Sequence, residues 1–311
     1  MTTAPTADRP APSEPASPAR TLRGMAFMLI SVVLLTTMNA GVRWISDRIH
    51  PFEVAFFRSL FSLLVFVPVL VRHGLGPLRT ARLFVHGLRG GLHVTAMLAN
   101  YYALALVPFA MYTALTFTTQ LFTPPLAALF LRETMRTRRI AALLFGFAGA
   151  LAIVRPGFAE VTFGAALVLF GSVLVAGTNV VTKGLARTES SVAITLYIGL
   201  LLTPLSLPAA LLVWTTPSWE ELAYLAAIGI TGGLGFWAFS QSLREADIVA
   251  VLPISFTSLL WAAIIGFLLF GEIPDIWIWT GGAMIFLANL YLAWRERRQG
   301  PHSVEPRRGP S

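Results

Sequence analysis

The sequence predicts an all-α membrane protein with ten transmembrane helices, arranged as two inverted five-helix repeats. Hydrophobic residues make up 56% of the 311 residues and charged residues only 12%, which is more apolar material than a soluble domain of this length buries. The apolar residues fall into runs of about 20, the length that a helix needs to cross a bilayer. A shift of 139 positions also places Leu104 on Leu243 and Glu133 on Glu272, so the second half of the chain repeats the first.

The apolar runs are continuous and lack the alternating polarity of membrane β-strands, so each is predicted to be a helix. Five spans per repeat is an odd number, and the second repeat must therefore enter the membrane in the opposite sense. The first predicted repeat covers residues 24–155 and the second residues 162–294. The ten predicted spans are 24–44, 52–72, 85–106, 109–131, 139–155, 162–182, 191–213, 220–242, 248–270 and 276–294.

The two ends of the chain are predicted to be cytoplasmic tails. Residues 1–22 combine five prolines with Ala, Ser and Thr, a composition typical of a disordered segment, and residues 295–311 are basic. With the amino terminus inside, 19 of the 23 Lys and Arg residues lie on the cytoplasmic side and three on the other side. This asymmetry predicts a multi-pass protein of the cell inner membrane with both termini in the cytoplasm. It also explains the net charge of +8 without a nucleic-acid partner.

Composition argues against an enzyme. The chain has no cysteine, and all fifteen carboxylates fall in tails, loops or the ends of spans. Acid-base or metal-assisted catalysis would place several such groups in one shielded pocket. We therefore predict no catalytic residue, no metal site and no cofactor.

The first spans of the two halves share a polar motif. An offset of 140 places Asn39 on Asn179 and Arg43 on Lys183. The two asparagines would be mirrored about the membrane midplane, as two sides of a central site would be. They are equally consistent with amides that hydrogen-bond a neighbouring helix.

Two further spans carry polar side chains at helical spacing. In span three, His93 and Asn100 share a face with Arg89, and His93 lies near the membrane middle. His93 is either a proton-sensing group or a neutral hydrogen-bond partner between helices. Span four carries a stripe of Tyr112, Thr116 and Gln120 ahead of two prolines.

The span-four stripe has two interpretations. Its side chains line a path together with Ser255 and Trp261 of span nine, which would face it across the repeat axis. Alternatively, each threonine bonds its own backbone and the prolines only bend the helix. The first interpretation is the prediction here.

An arginine inside span two is the least expected residue of the sequence. Arg58 lies six residues into the span, where a charge requires a partner, which is either a substrate anion or another helix. In span eight, Gly232 allows a break or close packing of helices, and Trp237 is a candidate for stacking on a planar substrate.

The chain resembles the EamA family of the drug/metabolite transporter superfamily. The resemblance rests on Ala103-Leu104, Pro124, Leu131-Arg132-Glu133 and Arg155-Pro156-Gly157 in the first half, and on Pro253 and Gly271-Glu272 in the second. Arg132 departs from the family, which usually has glycine before this glutamate. The family implies two tandem five-helix repeats. The sequence of residues 101–157 most resembles the permease branch that includes S-adenosylmethionine and riboflavin importers.

The combined prediction is a secondary transporter that moves a small organic metabolite by alternating access between the two repeats. An exporter of amino acids or drug-like compounds is the alternative on the same fold. A channel and a membrane-embedded enzyme are alternatives from other classes. The expected partners are the substrate and the lipid bilayer, and a small-residue seam in span five allows a homodimer.

Overall fold

The structure is a computed structural model in which the described part of the chain is almost entirely helical. It describes residues 18–73, 80, 82–131, 135, 137–155, 162–186, 188–189, 191–246 and 248–299, and no strand is present within these ranges. The described residues form twelve helices: α1 (Pro18–Ile45), α2 (Pro51–His73), α3 (Leu83–Leu106), α4 (Phe109–Thr116), α5 (Thr119–Leu131), α6 (Thr137–Val154), α7 (Phe163–Leu185), α8 (Ser191–Leu211), α9 (Trp219–Glu245), α10 (Ile248–Ser255), α11 (Thr257–Phe270) and α12 (Ile276–Gln299).

Seven helical stretches are long and apolar enough to cross a membrane, which makes the chain a multi-pass membrane protein. They include α4 joined to α5 and α10 joined to α11. The helices α2, α3 and α8 fall outside this set; α3, for example, carries His86, Arg89 and His93, which lower its hydropathy. That these three helices also cross the membrane, giving ten spans in two inverted repeats, stays a prediction.

The helix ends agree with the predicted spans to within a few residues, except at the two termini. Helix α1 begins at Pro18, inside the predicted tail 1–22, and α12 continues to Gln299, inside the predicted tail 295–311. Proline is tolerated in the first turn of a helix, and arginine is a good helix former in water, so neither helix has to stop at the membrane boundary. Residues 1–17 and 300–311 lie outside the described residues.

Two predicted spans each consist of two helices. Helices α4 and α5 are separated at Phe117 and Thr118, and helices α10 and α11 at Phe256. At the first break, Thr116 Oγ1 donates to Thr113 O at 2.7 Å and Thr118 Oγ1 donates to Leu115 O at 2.6 Å. These hydroxyls bond carbonyls that would otherwise accept the next turn's N–H groups, so they compete with the helix.

The second break repeats the first, residue for residue, at an offset of 139. Ser255 Oγ donates to Leu252 O and Thr257 Oγ1 donates to Ile254 O, both at 2.7 Å. The phenylalanines between the hydroxyl residues, Phe117 and Phe256, stack on each other with ring centroids 4.0 Å apart. The two breaks are therefore in contact.

Glycines bring neighbouring helices into close contact. Helix α9 is unbroken at Gly232 and Gly235, and a Cβ at Gly235 would lie 2.8 Å from Leu35 of α1. In α6, a Cβ at Gly149 would lie 2.7 Å from the backbone oxygen of Gly281 in α12. The predicted small-residue seam of this helix consists of Ala142, Gly146 and Ala150. A Cβ at Gly146 would lie 2.7 Å from the Leu121 side chain and 3.0 Å from the Cβ of Ala288, so the centre of the seam packs within the chain.

Candidate binding cavity

A cavity of about 320 Å³ lies between α2, α3, α7, α8 and α9. Its volume is at the lower end of the range for small-molecule pockets. The lining combines apolar side chains with polar ones, the latter including Arg58, Ser62, Arg89, His93, Thr178 and Asn179. No Asp or Glu belongs to the described lining, so the cavity wall is positively charged.

Arg58 is 5% exposed and lies on the wall of this cavity. Its Nη1 donates to the sulfur of Met97 at 3.4 Å, and its buried Nε has no hydrogen-bond partner in the described part of the chain. The guanidinium carbon lies 5.4 Å from the ring centroid of Phe236 and 6.0 Å from that of Tyr101. Aromatic contacts hold the guanidinium in place, but they do not neutralise its charge.

Glycine at position 232 makes room for Met38, which packs beside this arginine. A Cβ there would lie 3.4 Å from Arg58 Nε and 2.5 Å from Met38 Sδ. Of the two roles predicted for Gly232, close packing is the one that the structure shows.

Arg89 differs from Arg58 because backbone and hydroxyl oxygens hold it. Its Nε donates to Thr182 Oγ1 at 2.7 Å, and its Nη1 donates to Ile194 O at 2.8 Å. These bonds tie α3 to α7 and α8. Arg89 therefore contributes charge to the cavity from a fixed position.

His93 and Asn179 supply uncommitted polar groups. The Nδ1 atom of His93 is buried without a hydrogen-bond partner among the described residues, and the exposed side chain of Asn179 faces the cavity. The neighbouring hydroxyls are already used as donors: Ser62 Oγ donates to Gly229 O at 2.8 Å and Thr178 Oγ1 to Leu174 O at 3.0 Å. A ligand in the cavity would thus contact the Asn179 amide and the His93 imidazole. The hydroxyl oxygens of Ser62 and Thr178 could accept hydrogen bonds from it.

An ion pair links several helices at the end of the bundle where α1 finishes. We call Arg43, Val107, Phe109 and Glu272 the Glu272 network. Both Nη atoms of Arg43 donate to the Glu272 carboxylate, and Nη1 also donates to Val107 O at 2.7 Å. Glu272 Oε2 accepts from the backbone N–H of Phe109 at 2.7 Å. The network joins α1, the turn between α3 and α4, and the end of α11.

A turn at Gly271 positions Glu272 within this network. Gly271 has φ of 66°, the left-handed conformation that glycine adopts without strain, and Glu272 N donates to Gly266 O at 3.1 Å. Gly271, the glycine before the glutamate, thus forms a turn in the second half. The corresponding Arg132 lies outside the described residues.

The predicted site residues divide into two groups. Arg58, His93 and Asn179 line the cavity described above. Asn100 instead packs against α7, where a Cβ at Gly171 would lie 2.6 Å from its Nδ2, and its buried Oδ1 has no described partner. Asn39 is half-buried on α1, and Tyr112 is buried in the main hydrophobic core.

The remaining predicted residues lie at the helix breaks or on the bundle surface. Thr116 and Ser255 bond their own backbones at the two breaks, and half-buried Gln120 follows the first break. Trp261 packs on a small apolar cluster formed by α1 and α10. Trp237 is 44% exposed and makes an edge-to-face contact with Phe27. None of these side chains belongs to the described lining of the cavity.

Sequence reasoning missed Phe236 and the Glu272 network. Phe236 follows Gly235 in α9, and nothing in the apolar pattern separates it from the other phenylalanines. The network had a signal, because Arg43 and Glu272 both stand at repeat-related positions. The pairing between them depends on the fold.

The helices and the cavity define a multi-pass membrane protein whose bundle holds a cavity lined by apolar and basic side chains. The chain belongs to the EamA-like transporter family, which matches residues 22–155 and 162–294. This confirms the family resemblance seen in the sequence. The family consists of transporters, so the prediction that the chain is not an enzyme is also confirmed, and the substrate is a small molecule.

Relatives with named substrates cover nearly the whole chain. The S-adenosylmethionine uptake transporter of Rickettsia felis is 30% identical over 277 residues, covering 89% of this chain and 94% of the relative. The riboflavin transporter of Brucella anthropi is 31% identical, with 85% and 96% covered. The pseudopaline exporter CntI of Pseudomonas aeruginosa is 28% identical, with 87% and 95% covered.

A solved structure supports the same fold. A protein crystal structure aligns with a TM-score of 0.59 at 20% identity, over 91% of this chain and 99% of the other. The similarity concerns the arrangement of the helices alone.

Proposed function

We propose that this protein is a secondary transporter that carries a small organic metabolite across the inner membrane by alternating access between two inverted repeats. The observation that carries the proposal is the cavity, whose wall combines residues from both halves of the chain: Arg58 and His93 from the first, Asn179 and Phe236 from the second. A site shared by two repeats is opened to either side when one repeat moves against the other.

The ends of the bundle support the same mechanism. With both termini in the cytoplasm, the Glu272 network lies at the outer end and closes it, while Arg89 and Thr182 lie toward the inner end of the cavity. Opening to the outside then requires the Arg43–Glu272 contact to separate. In this proposal the ion pair stabilises the outward-closed state.

The two helix breaks support the proposed duplication. Matching hydroxyl-to-carbonyl bonds recur at an offset of 139, and the related rings of Phe117 and Phe256 stack on each other. Contact between equivalent residues is expected on an approximate two-fold axis that relates inverted repeats. The breaks provide positions at which each repeat can bend.

The proposed substrates to test first are S-adenosylmethionine and riboflavin, because importers of both are similar to this chain over most of its length. The test is counterflow: proteoliposomes preloaded with one unlabelled compound are diluted into the same labelled compound, at two pH values. A carrier accumulates the label transiently and saturably, whereas protein-free liposomes do not.

Three results would contradict the proposal. Flux that does not saturate would indicate a channel. Recovery of chemically altered label would indicate an enzyme. Absence of counterflow across a wider panel of labelled metabolites would reject a metabolite carrier.

Export is the second candidate direction, since the pseudopaline exporter is also similar to this chain. Right-side-out and inside-out vesicles separate the two directions. An importer accumulates substrate in right-side-out vesicles under an imposed ion gradient, and an exporter does so in inside-out vesicles.

A further inference from the structure

We infer that Arg58 binds an anionic oxygen group, a carboxylate or a phosphate, of the transported substrate. This inference rests on the proposed transport function and adds the chemical class of the substrate to it. It starts from an arginine that is 5% exposed, lines the cavity and has a buried Nε without a described partner. Burying an ionised group without a counter-charge opposes folding, so such a group is retained for a use.

The donors of Arg58 match a forked acceptor. A guanidinium has five N–H donors in a planar array, and carboxylate and phosphate oxygens accept two of them side by side. The described acceptor is the Met97 sulfur, which is a weak one. The guanidinium of Arg58, which lines the cavity, therefore has donor capacity that the described protein groups do not use.

Protein carboxylates do not fill this role among the described residues. The nearest acidic residue along the helix is Glu53, five positions away on a different face. Its Oε2 accepts from the N–H and the hydroxyl of Thr215, both at 3.0 Å, at the start of α2. Arg89 adds a second positive charge to the same wall instead.

The surroundings of Arg58 fix its orientation. The rings of Phe236 and Tyr101 lie 5.4 Å and 6.0 Å from the guanidinium carbon, and Nε lies beside Gly232. Phe236 and Phe239 also form an apolar part of the wall. The site thus suits a metabolite with an anionic end and an apolar or planar body. Of the two compounds proposed above, S-adenosylmethionine carries a carboxylate, whereas riboflavin carries neither a carboxylate nor a phosphate.

The test measures anion binding without knowledge of the full substrate. The purified full chain in detergent is unfolded by heat in sodium acetate, sodium phosphate or sodium chloride at equal ionic strength. The variants are Arg58→Met, Arg58→Lys and, as control, Arg82→Met, which removes an exposed arginine outside the cavity. Acetate or phosphate is expected to raise the wild-type unfolding midpoint saturably, by about 2–4 °C beyond chloride.

The variants separate binding from structure. The anion effect should persist in Arg82→Met, disappear in Arg58→Met and weaken in Arg58→Lys, since an ammonium lacks the planar fork. Without anions, Arg58→Met should unfold no earlier than wild type. A structural arginine would instead lower that midpoint.

The remaining outcomes identify the anion or overturn the inference. An effect of acetate alone assigns a carboxylate, and an effect of phosphate alone assigns a phosphate. No effect beyond chloride in wild type, or an effect that persists in Arg58→Met, overturns the inference. Equal counterflow in wild type and Arg58→Met would show that the protein transports but that Arg58 does not bind the substrate. An anion effect that depends on Arg58, without counterflow of any compound, would show the anion site but contradict the transport function.

Discussion

Arg58 and Arg89 are both buried on the same cavity wall, yet their hydrogen bonds differ. Arg89 donates to Thr182 and Ile194, whereas Arg58 donates to a sulfur and leaves Nε unused. The sequence alone placed one arginine near a span end and the other inside a span, and it left the role of Arg58 open. The hydrogen-bond partners come from helices that are distant in sequence. They distinguish Arg89, whose guanidinium is bonded within the protein, from Arg58, whose guanidinium has donors left for a ligand.

Replacement of Arg89 tests the structural role. Arg89→Met removes two hydrogen bonds from a charged donor and leaves Ile194 O without this partner. We expect a loss of about 2 kcal/mol in stability, seen as a lower thermal unfolding midpoint in detergent. Arg58→Met is the matched comparison, for which no such loss is expected. Equal losses in the two variants would contradict this distinction.

Replacement of His93 tests whether the cavity binds the substrate, because His93 lines it and its Nδ1 has no described hydrogen-bond partner. His93→Ala removes one hydrogen-bonding group, worth about 1 kcal/mol, and should lower substrate uptake about fivefold in proteoliposomes. Gln120→Ala is the control, because Gln120 does not belong to the described lining. A larger effect at Gln120 would instead favour the polar stripe predicted from the sequence.

At the scale of the helices, apolar runs predicted where each helix lies, because a membrane segment must satisfy its backbone internally. They did not predict the breaks at Phe117 and Phe256. The polar stripe through Thr116 predicts a path-lining face, and this stays a prediction. The hydroxyls of Thr116 and Ser255 bond the carbonyls three residues earlier. Hydroxyl residues that bond their own backbone and hydroxyl residues that line a path give the same sequence pattern, so the sequence alone does not distinguish the two roles.

The breaks themselves can be tested by removing hydroxyls. The double variant Thr118→Val and Thr257→Val keeps side-chain shape and frees Leu115 O and Ile254 O for regular helical bonding. Each lost hydrogen bond is worth about 1 kcal/mol. If the equilibrium between two conformations of the transporter depends on one of these bonds, its constant changes about fivefold. We expect uptake to fall by at least that factor while the unfolding midpoint is maintained.

The matched control is Thr95→Val. Thr95 Oγ1 donates to Gly91 O at 2.9 Å in the regular helix α3, on an exposed face. Its removal should leave uptake unchanged. Similar losses of uptake in the control and the double variant would mean that hydroxyls, rather than breaks, are required.

At the scale of the whole molecule, the Arg43–Glu272 ion pair is expected to control one of two states. Arg43→Glu places two carboxylates together and should lower uptake at least tenfold. The exchange Arg43→Glu with Glu272→Arg restores opposite charges and should recover part of the loss, since coupled pairs interact by about 1 kcal/mol or more. Recovery stays incomplete because glutamate cannot donate to Val107 O. Exchange variants no better than the single variant would exclude charge complementarity as the cause.

The inverted repeat makes the most direct prediction about the molecule. Arg48 and Thr188 are exposed and 140 positions apart, the offset that relates the first spans of the two halves. Parallel copies would place them on the same side of the membrane, and inverted copies on opposite sides. The chain has no cysteine, so a single introduced cysteine is the sole thiol that can be labelled. In intact cells, a membrane-impermeant maleimide should label Arg48→Cys, and it should label Thr188→Cys only after permeabilisation. Labelling of both in intact cells would exclude antiparallel insertion, and the proposed mechanism would lose the symmetry by which one cavity opens to two sides.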